Sequence, residues 1–291
     1  MIKKNKIPVS IVIPTLGHSK IKYCLEKIQS SLYHPAEILI VVPKNNYNKL
    51  KLMSTVYKKL DIRVILSKKK HQVHQRILGF KKSKFKYVMQ LDDDVWLSKK
   101  CLYRLYEFIK GKDNVAVAPK YSDKILLSNI YKKPNNFILK FYHWLLNSNK
   151  GYAPGTISLS GYNYGEESRN FGSKSHEWLA GGAVIHVKKN LILNNYYKFN
   201  FKRSLCEDIL HSLLLREKGI KLIKLFSAKA NSAESSRINN ENNFFHIFQN
   251  MYNEFLVRKY INKKFKLSLV RLYIFYFIYF LRVVISIFRR N

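Results

Sequence analysis

Three adjacent carboxylates, Asp92-Asp93-Asp94, close an apolar stretch that runs from Phe85 to Leu91. The chain carries 53 Lys+Arg against 18 Asp+Glu, so three acids in a row are conspicuous. In an extended segment, side chains at i and i+2 point the same way, and Asp92 and Asp94 can aim two carboxylates at one point. At the C-terminal end of a strand such a pair can hold a divalent metal, leaving the other coordination positions to diphosphate oxygens and water. The plainer alternative is a solvated acidic turn or a helix N-cap, since Ser98 and a helical pattern follow. Position at a strand end favours the metal.

A second acidic pair, Glu207-Asp208, opens the helical pattern of Ile209 to Lys218. A carboxylate there meets the positive end of the helix dipole, which favours the ionised form a general base needs. Ser204-Leu-Cys-Glu207 also matches a capping box, in which Glu207 only closes the helix N-terminus. Both can hold together, with Glu207 as cap and Asp208 facing a cleft.

These residues need elements to position them. Val9 to Ile13, Glu37 to Val42, Ile62 to Leu66 and Tyr87 to Leu91 read as buried strands. Between them Ile21, Leu25, Ile28 and Leu32, then Leu50, Met53, Tyr57 and Leu60, then Val73, Ile77 and Phe80 recur at helical spacing. This alternation implies an α/β fold with a mostly parallel sheet flanked by helices. Ligands on such sheets bind beyond the C-terminal strand ends, where Pro14-Thr15, Pro43-Lys44 and the Asp triplet fall. A helix near Leu102 to Ile109 and a strand at Val115 to Ala118 follow. From Tyr121 to Lys174 periodicity weakens, as in a binding wall or lid. Order returns at Glu177 to Ile185, and a strand is expected at Leu222 to Phe226, with a polar, mobile segment from Ser227 to Asn243. No GxGxxG follows the first strand and no GxxxxGK[ST] occurs, so metal and basic side chains must neutralise any phosphates.

The formal net charge of +35 calls for anionic company, and 47% hydrophobic content is ample for a core. Cys24, Cys101 and Cys206 form no CxxC pair and no disulfide framework, which fits a reducing cytosol. The apolar run near the N-terminus ends at Pro14 and is too short for a signal segment.

Taken together, Ser10-Ile-Val-Ile-Pro-Thr15, Gln75-Arg76, Leu91-Asp-Asp-Asp-Val95 and Glu207-Asp208 resemble the ordered motifs of the inverting family 2 glycosyltransferases, over roughly Pro8 to Phe226. The resemblance implies the GT-A fold, a nucleotide-sugar donor (a UDP-sugar foremost) and Mg²⁺ or Mn²⁺. It assigns Asp92 to the nucleoside side of the donor and also to the metal, Asp93 to the donor, and Asp94 to the metal. Pro14 and Thr15 would line the nucleoside pocket, and Arg76 matches a basic position near the donor, where a solvated helix residue is the alternative. Asp208 would be the base that activates an acceptor hydroxyl, with Glu207 beside it. The Asn that usually follows that Arg is replaced by Ile77. Gly181-Gly182 and Trp178 could admit and stack on a sugar, or mark a bulge beside an ordinary buried Trp. His176, His186, His211 and His246 show no metal-ligand spacing.

The expected acceptor is a glycan or a lipid-linked oligosaccharide in cell-surface polysaccharide or lipopolysaccharide synthesis. A nucleotidyltransferase and a nucleic-acid-binding protein are the rival classes; the first lacks its phosphate-binding loop and the second any recognisable motif, so no nucleic acid is expected. Three divisions are expected: 1–120 for the donor, 121–243 for acceptor and catalysis, and 244–291 as a basic, aromatic helical tail. In that tail Lys264, Arg271, Arg282 and Arg289 return to one helical face, with Leu269, Tyr273, Tyr276, Phe277, Phe280 and Val284 opposite. Such a helix suits the plane of an anionic membrane, placing a cytoplasmic enzyme at its inner face; a core helix and a tilted span are the alternatives.

Overall fold

The computed structural model describes residues 5–18, 20–121, 134–165, 172–201, 203–232 and 244–288. It divides into two compact units, 1–126 with 169–236, and 127–168 with 237–291.

The first unit is built on a sheet. Strands β1 (Asn5–Pro14), β2 (Tyr33–Pro43), β3 (Ile62–Ser67) and β4 (Tyr87–Leu91) alternate with helices α1 (Lys20–Gln29), α2 (Lys44–Val56) and α3 (Gln72–Lys82). Then come β5 (Val95–Leu97), α4 (Cys101–Ile109), β6 (Val115–Tyr121), β7 (Ser173–His176), β8 (Ala183–Val187), α6 (Glu207–Glu217) and β9 (Lys221–Ser232), with α5 (Phe137–Asn147) falling in the other unit. The sheet order is β3-β2-β1-β4-β8-β6-β9-β5, and β7 pairs on β9.

β1 to β4 are parallel, as their alternation with helices requires. The second half is mixed: β8 runs antiparallel to both β4 and β6, whereas β6 and β9 are parallel. The short strands β5 and β7 carry no apolar alternation long enough to signal them. β9 continues to Ser232, so residues 227–232 of the segment expected to be mobile are a strand; residues 233–243 lie outside the described residues.

Successive strand residues point to opposite faces, and both faces are covered. Ile11, Ile13, Ile38 and Ile40 join Leu25 of α1 and Leu105 of α4 in one core. Val12, Leu39 and Val41 pack with Phe80 of α3 on the opposite face. Ala116, Ala118 and Val184 meet Leu215 of α6 in a further cluster.

Among its described residues the second unit contains three α-helices: α5, α7 (Phe244–Lys264) and α8 (Leu269–Phe288). α5 lies in the stretch read as irregular; apolar side chains surround most of it, so no polar face marks its period. The Asn136 side chain caps it, accepting from the Leu139 N–H at 2.8 Å. The basic tail is two helices rather than one. Lys266 turns the chain with φ 55°, and Asn262 accepts from the Leu267 N–H at 2.8 Å to close the turn. Lys264 therefore stands on α7 and Arg271 and Arg282 on α8, which breaks the expected four-cation stripe; Arg289 lies outside the described residues. Of the residues expected opposite that stripe, Tyr276 is core, packed with Leu146, Leu272 and Phe275, while Tyr273, Phe277 and Phe280 are exposed. Buried Arg258 donates to Gly161 O and, at 3.1 Å, to Asn163 Oδ1, joining α7 to the loop after α5. Among the described residues, no helix is long and apolar enough to cross a membrane.

Gly79 in α3 makes a quantitative test of the sheet-to-helix packing. A Cβ there would stand 2.3 Å from Val12 Cγ1 and 3.1 Å from Val41 Cγ2, so the helix backbone packs directly on the valine side chains of the sheet. In an open helix Gly→Ala is stabilising by up to about 1 kcal/mol. Here overpacking outweighs propensity, and Gly79→Ala should destabilise the protein by about 1–3 kcal/mol. Urea denaturation measures this; an unchanged or raised midpoint would contradict the packing.

Candidate active site

The C-terminal ends of β1, β2 and β4 meet above the parallel half of the sheet. Gln75, buried in α3, donates from Nε2 to Thr15 O and Val41 O, both at 2.8 Å, and so fastens the ends of β1 and β2. The Thr15 hydroxyl donates to Asp93 Oδ2 and accepts from the Gly17 N–H at 2.9 Å. That pair joins the loop after β1 to the triplet after β4. Burial pushes the Asp93 carboxyl up, against the pull of the Thr15 hydroxyl. Pro14 is buried at the strand end beside Thr15.

The second expected group comes to the same place. Arg76, the neighbour of Gln75, is 1% exposed. Its Nη2 lies 3.0 Å from Asp92 Oδ1 and its Nη1 2.7 Å from Glu207 Oε2. One guanidinium thus links the triplet to the first turn of α6, residues 131 positions apart in sequence from Arg76 to Glu207. It is not the solvated helix residue that its basic surroundings allowed. Burial opposes its charge, but Glu207 and Asp92 more than offset this and hold it protonated.

Glu207 does not close a capping box. The residue before the helix is Cys206, left-handed at φ 51° and without a side-chain cap bond. The carboxylate points instead at Arg76 and takes the hydroxyl of Tyr196 on its other oxygen. Burial would raise its pKa; Arg76, then His211 and Tyr196, reverse that and hold it below the ordinary 4.5. His211 sits one turn on in α6, stacked on Tyr196 at 5.4 Å between ring centroids, and burial lowers its pKa to about 4. His186 of β8 lies 5.5 Å from that ring and is also held neutral by burial. These two histidines are structural groups beneath Glu207. Asp208 is half-exposed, its Oδ1 accepting from the Ile209 N–H at 2.9 Å.

Gly181-Gly182 lies between the two acidic groups. Asp92 donates its N–H to Gly182 O at 2.8 Å, and Gln90 Nε2 donates to Gly181 O at 2.7 Å. A Cβ on Gly182 would meet Tyr121 Oη at 2.7 Å and Val95 Cγ2 at 3.0 Å; on Gly181 it would stand 3.4 Å from Asp208 Cβ and Glu207 Oε2. The glycines let backbone run close to both motifs. Trp178 is half-buried.

Sequence reasoning did not single out Gln72 or Tyr196, and it named His211 only as a histidine without metal-ligand spacing. Gln72 Nε2 donates to Asp92 Oδ1 at 3.1 Å. The place of His211 beside Glu207 could have been read from its i+4 spacing, but Tyr196 sits in a segment without periodicity and gave no signal.

A divalent cation fits here in one manner. Among the described residues no three His, Cys, Asp or Glu side chains converge as a protein-only metal cage. Arg76 and Gln72 both engage Oδ1 of Asp92, leaving Oδ2 the oxygen that faces Gly182, and Asp94 is half-exposed. Burial, opposed by Arg76 and assisted by Asp94 and Glu207, pushes Asp92 up to about 6. The local excess of negative charge would welcome another cation. One or two carboxylates, completed by phosphate oxygens and water, is a habit of Mg²⁺-like ions.

A model of the family described as Glycosyl transferase family 2 matches residues 10–165. The chain belongs to glycosyl transferase family 2. The match takes in β1 from Ser10, Gln75-Arg76 and the triplet and ends before Glu207-Asp208. No curated protein matches the sequence significantly. Among solved structures, GalNAc-T7 with UDP, GalNAc and Mn²⁺ is similar at TM-score 0.58 and 15% identity, over 77% of this chain and 42% of that one. The mannosyltransferase PcManGT from Pyrobaculum calidifontis, in complex with GDP-Man and Mn²⁺, aligns at TM-score 0.50 and 12% identity, over 79% of this chain and 58% of that one. This chain thus spans about half the length of these structures. The likeness is one of fold, and the fold is GT-A.

The Arg76 bridge gives a stability test. Arg76→Met leaves Asp92 and Glu207 without their shared cation, and breaking a buried pair in this way should cost about 3–5 kcal/mol. Glu207 has a folded pKa below its unfolded one, so its contribution is present above pH 4.5 and lost as pH falls through the lower, folded value. Arg76→Met should remove that acid-side component. Urea titrations of both proteins across the acid range measure it; equal stabilities would refute the bridge.

Proposed function

We propose that this family 2 chain transfers a sugar from a nucleoside diphosphate sugar, a UDP-sugar foremost, to a hydroxyl of a glycan or lipid-linked acceptor with inversion. The observation that carries the reading is the bridge of Arg76 between Asp92 and Glu207, which brings together the two acidic groups read here as donor site and base. The two structures named above were solved with UDP and with GDP-Man, each with Mn²⁺, which supports a diphosphate donor and a divalent ion.

In this reading Pro14 and Thr15 line the nucleoside pocket, and Asp92 and Asp93 border the donor. Asp92 and Asp94 would hold Mg²⁺ or Mn²⁺, which when bound neutralises charge growing on the leaving diphosphate. Arg76 is already committed to two carboxylates, so it serves the donor by fixing Asp92 rather than by reaching for phosphate. Asp208 takes the proton of the acceptor hydroxyl. The freed oxygen forms a bond to the anomeric carbon as the bond from that carbon to the diphosphate breaks, and the diphosphate leaves with the electron pair. Attack from the opposite face inverts the centre. Glu207, ionised and clamped by Arg76 and Tyr196, orients the first turn of α6 that carries Asp208.

The donor half is read as residues 1–120, the acceptor and catalytic half as 121–243, and the tail as 244–291. The tail's bases and exposed aromatics support peripheral attachment to the inner face of the cell membrane, where lipid-linked acceptors for cell-surface polysaccharide or lipopolysaccharide would be met.

Asp208→Asn should lower turnover by ~10²–10⁴-fold while nucleoside diphosphate still raises the melting temperature in Mn²⁺. Asp94→Ala should abolish both the Mn²⁺-dependent part of that protection and transfer. Screening nucleotide sugars for donor hydrolysis, with Mg²⁺, Mn²⁺ or EDTA, identifies the donor. Full turnover of Asp208→Asn would remove it as base, and full activity of Asp94→Ala in saturating EDTA would remove the metal.

A further inference from the structure

Phe248, Met251, Tyr252 and Phe255 recur on α7 at steps of three, one and three residues, so they share a helix face. Tyr273, Tyr276 and Phe277 of α8 face them. Together these residues line an open groove of about 410 Å³. Its floor is packed: Phe255 meets Tyr276 edge-on, with ring centroids 5.1 Å apart. Its lips are not, since Tyr252 is 57%, Tyr273 49% and Phe277 63% exposed. The exposed apolar surface continues along α8 through Phe280, Leu281 and Ile285. An apolar patch of this extent facing water marks a binding surface.

Charge selects the occupant. The described residues of this unit include nine bases, Lys140, Lys150, Arg258, Lys259, Lys263, Lys264, Lys266, Arg271 and Arg282, against one acid, Glu254. Glu254 is held by Arg258 at 2.7 Å. A second copy of this surface would bring like charges together. Lys259 stands at the rim, its Nζ 5.8 Å from the Phe255 ring and 5.9 Å from the Tyr273 ring. A carbon-lined groove with a cation at its lip matches a hydrocarbon chain that ends in a phosphate. Single-stranded nucleic acid also combines cations with aromatic faces, but it needs open faces on which bases stack. Here Phe255 lies edge-on to Tyr276 and tilted by 51° on Tyr273, so these rings wall a slot instead.

We propose that the groove between α7 and α8 seats one acyl chain of an anionic bilayer phospholipid, with the phosphate at Lys259. This rests on the membrane attachment proposed above and names its site. Drawing a chain out of the bilayer into the groove goes further than laying a helix on the headgroups, and it can be tested separately.

The test uses the full chain and vesicles of phosphatidylcholine, alone or mixed equally with phosphatidylglycerol. Tyr252→Trp places a reporter at the groove, and phosphatidylglycerol brominated on its acyl chains should quench it well beyond the quenching of the native tryptophans. Met251→Trp fills the groove without altering charge. Loss of a few buried methylenes is worth an order of magnitude, so this variant should bind the mixed vesicles ~10-fold more weakly. Lys259→Glu should weaken binding to the mixed vesicles and leave the weak binding to phosphatidylcholine alone unchanged. Unaltered donor hydrolysis and melting temperature certify each variant as folded. Strong vesicle binding without reporter quenching, or undiminished by Met251→Trp, would overturn the groove and leave membrane attachment standing. Absence of vesicle binding by the wild type would overturn both. So would a single-stranded oligonucleotide or self-association occupying the reporter site in their place, and donor hydrolysis would still report separately on the transferase.

Discussion

The site depends on one buried cation. Arg76 reaches the triplet with one nitrogen and α6 with another, and its charge offsets the burial of the Glu207 carboxylate and the partial burial of Asp92. A guanidinium suits this work because its planar fork can address two carboxylates at once and its charge cannot be titrated away. The same helix supplies Gln75, which holds the ends of β1 and β2. Two neighbouring side chains of α3 therefore set the relation among β1, β2, the triplet and the start of α6.

The mixed half of the sheet has a positional purpose. By running antiparallel beside β4, β8 begins where β4 ends. Gly181-Gly182, which leads into β8, is thereby laid against the triplet on one side and Glu207-Asp208 on the other. An all-parallel sheet would have placed a strand's N-terminal end at the opposite edge. The glycines matter because the space between the motifs admits backbone but no side chain at residue 182. Tyr196 and the neutral His211 complete the packing beneath Glu207 and shield it from competing water.

The second unit follows a different logic. Its interior is aromatic and aliphatic, with Leu146, Leu272, Phe275 and Tyr276 at the centre, and it buries the cation of Arg258 against carbonyl, amide and carboxylate oxygens. The remaining bases stay near the surface beside exposed rings. Such a surface is costly in water unless an anionic, partly apolar environment receives it.

The sequence alone determined the alternating elements of the first third, because strands buried on both faces and helices with one apolar face leave distinct periods. It also marked the chemistry, since three acids at a strand end stand out in a chain of such positive charge. The tertiary structure decided what local pattern cannot carry. Glu207 looked like a cap from Ser204-Leu-Cys-Glu207, but Cys206 takes the left-handed turn and the carboxylate goes to Arg76, a partner fixed only by folding. Arg76 itself, amid surface lysines, gave no sign of being buried. The end of the tail from Lys264 onward read as one helix because its cations return at nearly helical spacing; a positive φ at Lys266 divides it and leaves Lys264 on α7, apart from Arg271 and Arg282 on α8. Period and composition are properties of neighbours in the chain, whereas burial of a charge depends on residues more than a hundred positions away.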